Sequence, residues 1–285
     1  MAEVGGLGLR IVGFVLFAVV ALATTGEAAG KVSGTLIVRD ALTLPNHAVR
    51  IEAQVAVKAP GPPLSGVVLH LQIDGKEIAT GTTSESGQVS FEYLAKMRGT
   101  NVISVSVDPD APIAAETVDA TLCVWERRRP IVVVEVDALI RPASAPAAPP
   151  ATGTTDDTAP IPVPEAAEEL GRLTQYYYNV VYVWSHEQGP MGNASSGQVR
   201  RWLGTHQFPA GFVATPMPGG LNATLDALKS DGWTTMKSGI GRTRAFADVL
   251  LQHRMEVVVV PELPKGELPR KAKNAKDWKE VRKKL

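Results

Sequence analysis

The sequence predicts two domains, an all-β sandwich over residues 33–127 and a three-layer α/β domain with a parallel sheet over residues 130–285. Two observations predict this. Apolar residues alternate with polar ones between Gly34 and Val124, whereas continuous β-branched runs alternate with helical stretches from Pro130 onward. The 285 residues suit one large domain or two ordinary ones, at roughly 100–200 residues per domain. An apolar share of 45% is that of a chain able to pack cores. Lys and Arg total 29 against 29 Asp and Glu, which excludes a globally basic nucleic-acid binder. A single cysteine, Cys123, excludes an intrachain disulfide and a Cys-based zinc site.

The first segment belongs to neither domain. Arg10 precedes the apolar run Ile11–Ala23, shorter than the roughly 20 residues that span a bilayer. It has the character of a secretory h-region, and Ala21-Leu22-Ala23 offers the small-x-small cleavage pattern. A second cut would fall after Ala28. Residues 1–29 are therefore expected to be a signal peptide and the protein to be exported. An uncleaved anchor would leave the same domains outside the membrane.

The sandwich strands come next. Val49, Ile51, Ala53, Val55 and Val57 alternate with polar or small residues, as do Leu69, Leu71 and Ile73, after which Asp74-Gly75 supplies a hairpin turn. Val89–Tyr93, Ile103–Val107 and Val118–Val124 repeat the pattern. With Thr35–Arg39 and Glu77–Thr80 they make about seven strands, the count expected of an immunoglobulin-like sandwich. Gly75–Tyr93 resembles the paired strands of bacterial Ig-like repeats.

In the second domain Ile131–Val136 (IVVVEV) has the character of a strand buried on both faces of a parallel sheet. Val180–Val183, Gly211–Ala214, Thr235–Ile240 and Val257–Val260 are further strands. Pro164–Tyr176, Gln198–Thr205, Leu221–Lys229 and Thr243–His253 are helices. The alternation predicts about five parallel strands with right-handed crossovers. Arg141–Pro164, rich in Pro, Ala and Thr, is expected to be an extended loop. It leaves the carboxyl end of the first α/β strand, the edge where open α/β sheets bind ligands.

The stretch Arg129–Asp137 resembles the first motif of haloacid-dehalogenase-type (HAD) phosphohydrolases, a hydrophobic strand ending in Asp-x-Asp. Pro162–Val183 is similar to the helix and second strand of that fold. Val199–Gly211 resembles the next segment of the branch containing lipins and phosphatidate phosphatases, and Ser238–Arg242 sits where the fourth motif belongs. The resemblance implies a HAD-like, Rossmannoid domain with a magnesium-dependent phosphatase site. In that family the first Asp attacks phosphorus and the second serves as acid and base. A Ser or Thr and a Lys hold the phosphoryl oxygens, and acidic residues complete the magnesium site.

This sequence departs from the motif at each step. Glu135 replaces the nucleophilic Asp, and its extra methylene moves the carboxylate by roughly 1.5 Å, where about 1 Å can cost on the order of 100-fold. Asp137 keeps the acid/base position. Trp184 falls on the phosphate-binding Thr, with Ser185 one residue off. Lys229 and Lys237 compete for the lysine role. Arg242 replaces a metal-ligating Asp, so Glu135 and Asp137 are the metal ligands only in an active enzyme. An Arg242 guanidinium is expected to pair directly with Glu135, which its planar fork suits.

Other signals are weaker. Ser185-His186-Glu187 lists the residue types of a triad, yet neighbours in sequence rarely adopt triad geometry. The five histidines lack metal-ligand spacing. Lys265–Leu285 holds nine Lys or Arg against three Asp or Glu, with Ala275, Trp278, Val281 and Leu285 as the apolar stripe of a last helix. That helix would dock through Trp278, or hold the protein to an anionic membrane or cell-wall surface.

The expected function is an exported, catalytically inactive or weak phosphohydrolase-type scaffold acting as a ligand-binding or interaction module. It needs no cofactor, and its partner is a phosphorylated or anionic ligand. The alternatives are an active Mg2+-dependent phosphatase on a phospholipid or other phosphomonoester, and a cell-envelope adhesion protein.

Overall fold

In the computed structural model, which describes residues 31–58, 61–142, 160–185, 190–192 and 194–285, the alternating segments pair into two facing sheets. The expected signal peptide, most of the 141–164 loop, His186 and Glu187 lie outside the described residues. In chain order the strands are β1 (Val32–Val38), β2 (Ala41–Thr43), β3 (His47–Val57), β4 (Val68–Ile73), β5 (Lys76–Thr82), β6 (Gln88–Ala95), β7 (Gly99–Val107), β8 (Ile113–Ala114) and β9 (Val118–Val124). One sheet runs β6-β3-β1-β8 and the other β2-β9-β7-β4-β5. The β1–β3, β3–β6, β9–β7, β7–β4 and β4–β5 pairs are antiparallel, and the short β2 lies parallel to β9. Distribution of successive strands between two sheets in this way is the immunoglobulin-like arrangement. The core follows from period two: Ile51, Val55, Leu71, Phe91, Ile103 and Val105 are buried between the sheets. The β4–β5 hairpin turns at Asp74 and Gly75, both with positive φ (49° and 78°), as a two-residue hairpin requires.

His70, on β4, lies 2.9 Å through Nε2 from Asp108 and 3.3 Å through Nδ1 from Glu77. The hydrogen bond to Asp108 is the main cause that raises the imidazole above its ordinary value, with both carboxylates adding to it. A raised histidine stabilises the fold fully below its unfolded value of about 6.5, and that contribution disappears as pH rises through the folded value. Removal of this contribution by His70→Gln is thus expected to destabilise the sandwich at pH 5–6 and to have less effect at pH 8–9, as read by thermal melts across pH.

The second domain holds β10 (Ile131–Glu135), α1 (Ala166–Tyr176), β11 (Asn179–Val183), α2 (Ser196–Thr205), β12 (Phe212–Val213), α3 (Gly220–Ser230), β13 (Met236–Gly241), α4 (Arg244–Gln252), β14 (Glu256–Val259), β15 (Lys273–Asn274) and α5 (Trp278–Lys284). Its sheet, in the order β12-β11-β10-β13-β14-β15, is parallel throughout. It has six strands where five were expected. The sixth, β15, is two residues of Lys-Asn without an apolar run to announce it. Val132 and Val134 face one core with Leu170, Tyr182, Trp202 and Trp278, whereas Ile131 and Val133 face another with Leu225, Phe246 and Leu250. Burial on both faces is why these strands lack alternation.

Strand β9 joins the domains. Ala120, Leu122 and Val124 fill the sandwich core, while Cys123 and the following Trp125 enter the core shared with Ile131 and Val133. Asp40, between β1 and β2, completes the junction with its side chain 1% exposed. It accepts from the backbone N–H of Thr121 and of Val213, each at 2.8 Å, and pairs with Arg200 of α2. Burial pushes its carboxyl up, against the opposing pull of Arg200 and the two N–H groups.

The C-terminal helix docks as the apolar stripe predicts, with Trp278 and Val281 buried. Much of the positive charge of the C-terminal segment meets local carboxylates: Lys273 of β15 with Glu256, and Lys279 with Glu165, Arg282 with Glu169 and Lys284 with Glu280 on the helix. Among the described residues no helix is long and apolar enough to cross a membrane.

Candidate functional site

The carboxyl edge of the parallel sheet brings together Glu135, Asp137 and Arg242. Glu135 ends β10, and Arg242 directly follows β13. Val134 pairs with Ile240, so the two chain segments leave the sheet side by side. The Glu135 carboxylate is fully engaged there. Its Oε2 accepts from the backbone N–H of Arg242 (2.6 Å) and of Thr243 (2.9 Å), and its Oε1 accepts from the Thr243 hydroxyl (2.6 Å). Thr243 is in turn the N-cap of α4, its hydroxyl accepting from Phe246 N–H. Glu135 thus ties the end of the first strand to the start of a helix, where an anion is favoured by the unpaired N–H groups and the dipole. Gly241 makes room for this: a Cβ would lie 2.8 Å from Glu135 Oε2 and 2.2 Å from the Phe246 ring.

This geometry corrects the expected ion pair. No guanidinium nitrogen of Arg242 lies within 4.0 Å of Glu135 among the described salt bridges; the contact runs through the Arg242 main chain. The guanidinium instead donates to the carbonyl of Ile140. Helix-start N–H groups already occupy Glu135 Oε2, which leaves the long side chain to reach past it.

Asp137 lies in the 3-10 turn Val136–Leu139 and is buried, with Oδ1 lacking a hydrogen-bond partner among the described residues. Burial, reinforced by the Glu135 charge and opposed by Arg242, raises its carboxyl to about 6.

The remaining expected residues separate. Ser185 is exposed two residues beyond Val183, the β11 residue paired with Glu135, and so stays at this edge. Trp184 is buried in the hydrophobic cluster where a phosphate-binding Thr was expected. Both candidate lysines are misplaced. Lys229 ends α3 and donates to His253 Nδ1 (2.6 Å) at the end of α4, where burial and then the lysine's charge lower the imidazole. Helices of a parallel α/β layer finish at the edge opposite the strand ends, so Lys229 faces away from Glu135. Lys237 is the second residue of β13, four positions before Gly241, or roughly 13 Å at the usual strand rise. Neither can take the phosphoryl-binding role.

The donor set does not fit magnesium. Both Glu135 oxygens are committed to N–H and O–H donors, a guanidinium adjoins the site, and among the described residues no cluster of three or more His, Cys, Asp or Glu could hold a metal ion. A hard dication needs several oxygen ligands. Thr243 is the participant that sequence reasoning missed; its position just before a helix marks it as a cap, but nothing in the pattern shows that it also donates to Glu135.

No protein-family model matches the chain, and no curated protein does. Solved structures align over parts of it. The fibronectin(III)-like modules of Clostridium thermocellum CbhA are 18% identical over 33% of this chain and 47% of theirs, with a TM-score of 0.25. The CARDB domain of PF1109 from Pyrococcus furiosus is 16% identical over 33% of this chain and 93% of its own, with a TM-score of 0.24. The adhesin InvE of Yersinia pseudotuberculosis is 11% identical over 35% of this chain and 34% of its own, with a TM-score of 0.27. The chain spans about half the length of the Clostridium structure it matches. The immunoglobulin-like assignment rests on the strand pairing itself. The chain is an immunoglobulin-like sandwich joined to an α/β domain with a parallel sheet.

Proposed function

We infer that the α/β domain is a HAD-type phosphohydrolase scaffold whose catalytic edge has become a structural joint, and that the exported protein works as a ligand-binding or interaction module. The observation that carries this reading is the state of Glu135. A nucleophile needs a free carboxylate oxygen aimed at phosphorus, and both of these oxygens are held by Arg242 N–H, Thr243 N–H and Thr243 O–H. The displacement of Lys229 and Lys237 from this edge and a donor set unsuited to magnesium support it further. Export rests on the leader at Ile11–Ala23.

One observation favours the runner-up, an active phosphatase on a phospholipid or other phosphomonoester. Asp137 at about 6 is poised as a general acid and base should be. Incubation of the full chain with p-nitrophenyl phosphate and Mg2+ separates the two. The expected result is no turnover above that of Asp137→Asn. Magnesium-dependent turnover lost in Asp137→Asn would establish the enzyme instead. Recovery of activity in the double variant Glu135→Asp, Arg242→Asp would reveal a decayed site in an otherwise intact scaffold.

A further inference from the structure

A cavity of about 540 Å3 opens at the domain junction, beside the amino ends of the parallel strands and on the far side of the sheet edge from Glu135. We propose that it binds an organic anion, a molecule with a flat apolar body and a sulfonate-, phosphate- or carboxylate-type head. The volume falls within the roughly 300–1,000 Å3 of small-molecule sites. Both domains build the walls: Arg98–Thr100 and Val124–Glu126 come from the sandwich, and the end of α1 with Asn179 and Val180 comes from the α/β domain. Val124, Trp125, Val180 and Ala210 give it an apolar lining suited to a flat body.

The charge at the mouth selects the head group. Glu126 is its one carboxylate, held between Arg98 and Arg128 at 2.5 Å from each. Arg129, also on the wall, donates among the described residues to the neutral carbonyls of Thr174 and Tyr178. Two wall guanidinium groups, Arg98 and Arg129, therefore stand against one wall carboxylate that Arg128 also engages from outside, a surplus that an anion would balance. Asn179 adds a donor: this wall residue is 9% exposed, and its Nδ2 has no hydrogen-bond partner among the described residues. A buried amide N–H left unpaired is costly, and an anionic oxygen would satisfy it. Beside the wall residues Arg98 and Tyr178 stand the exposed Met97, Tyr176 and Tyr177, residue types enriched where proteins recognise partners. None of this depends on whether the strand-end site is inert.

The test is a calorimetric titration of the full chain with 1-naphthalenesulfonate, which carries no phosphoryl group and so cannot be confused with a phosphatase substrate. One saturable site is expected, with 1-naphthalenemethanol and inorganic phosphate each bound at least about 10-fold more weakly, since each lacks half of the recognition. Arg98→Gln, an exposed change, is expected to weaken the sulfonate by about 10-fold. Gly171 lines the cavity within α1, and a Cβ there meets nothing within 4 Å. Gly171→Phe should therefore fill the site while improving helix propensity, abolishing binding with the melting midpoint retained or raised. Binding that survives Gly171→Phe in a folded protein overturns the proposal. So does an alcohol that binds as tightly as the sulfonate, or no saturable binding of the sulfonate at all.

Discussion

Replacing Asp40 by alanine is expected to lower the unfolding free energy by about 3–5 kcal/mol, the range for breaking a buried ion pair from one side. The carboxylate is the only acceptor described for Thr121 N–H and Val213 N–H, and it pairs with an Arg200 side chain that is 16% exposed. Truncation leaves two backbone donors without a partner and a largely buried guanidinium with the Asp119 carbonyl as its remaining described acceptor. Arg200→Ala is expected to cost a comparable amount, because it leaves a charge buried between the domains. The two losses should not add: the double variant should lose clearly less than their sum, since the second change removes a group already unpaired. Urea unfolding followed by Trp fluorescence reads this, with Trp125 and Trp233 packed edge to face 6.3 Å apart in the shared core. A loss under about 1 kcal/mol for both single variants would mean the pair is a surface-like contact, and the junction would then rest on its apolar contacts, Cys123 and Trp125 with Leu42 and Leu44.

Asp40 also shows where sequence reasoning stops. An Arg-Asp step between two short strands has the character of a turn, and its ion-pair partner stands 160 positions away in a helix. No local period encodes that meeting. Features written in local repeats were legible: β3 and β4 alternate because one face is solvated, and β10 does not because both faces are buried. The strand-end cluster was legible in part. The family resemblance brought Glu135, Asp137 and Arg242 together, but which atoms touch depends on backbone N–H groups at the start of α4, which no side-chain pattern displays. Lys229 and Lys237 were misjudged for a related reason. Position along an element decides which sheet edge a residue reaches, and Lys229 closes its helix while Lys237 opens its strand. The junction cavity was invisible because its walls come from separate stretches of both domains.

The two carboxylates at the strand end are expected to respond to neutralisation in opposite directions. Glu135→Ala removes the acceptor of three hydrogen bonds, from Arg242 N–H, Thr243 N–H and the Thr243 hydroxyl. With about 1.5–3 kcal/mol for one hydrogen bond to a charged group, and with water able to reach part of the gap, a loss of about 3 kcal/mol is expected. Asp137→Asn should do the reverse. Its folded carboxyl lies near 6, raised by burial and by Glu135, so the native state holds a proton that the unfolded chain has released. A raised acid penalises the fold increasingly as pH climbs from about 4 to 6, and the full penalty persists above that. The neutral amide escapes it, gaining about 2 kcal/mol at pH 7.5 and almost nothing at pH 4. Denaturant titrations of both variants at these two pH values check the pair of signs. The contrast is informative about function, because groups tuned for chemistry are commonly held at the expense of stability, whereas a structural carboxylate is not. Glu135 would behave as a joint, and Asp137 as a group held at a cost to the fold. Stabilisation by Glu135→Ala would reverse that assignment and favour the active-phosphatase reading.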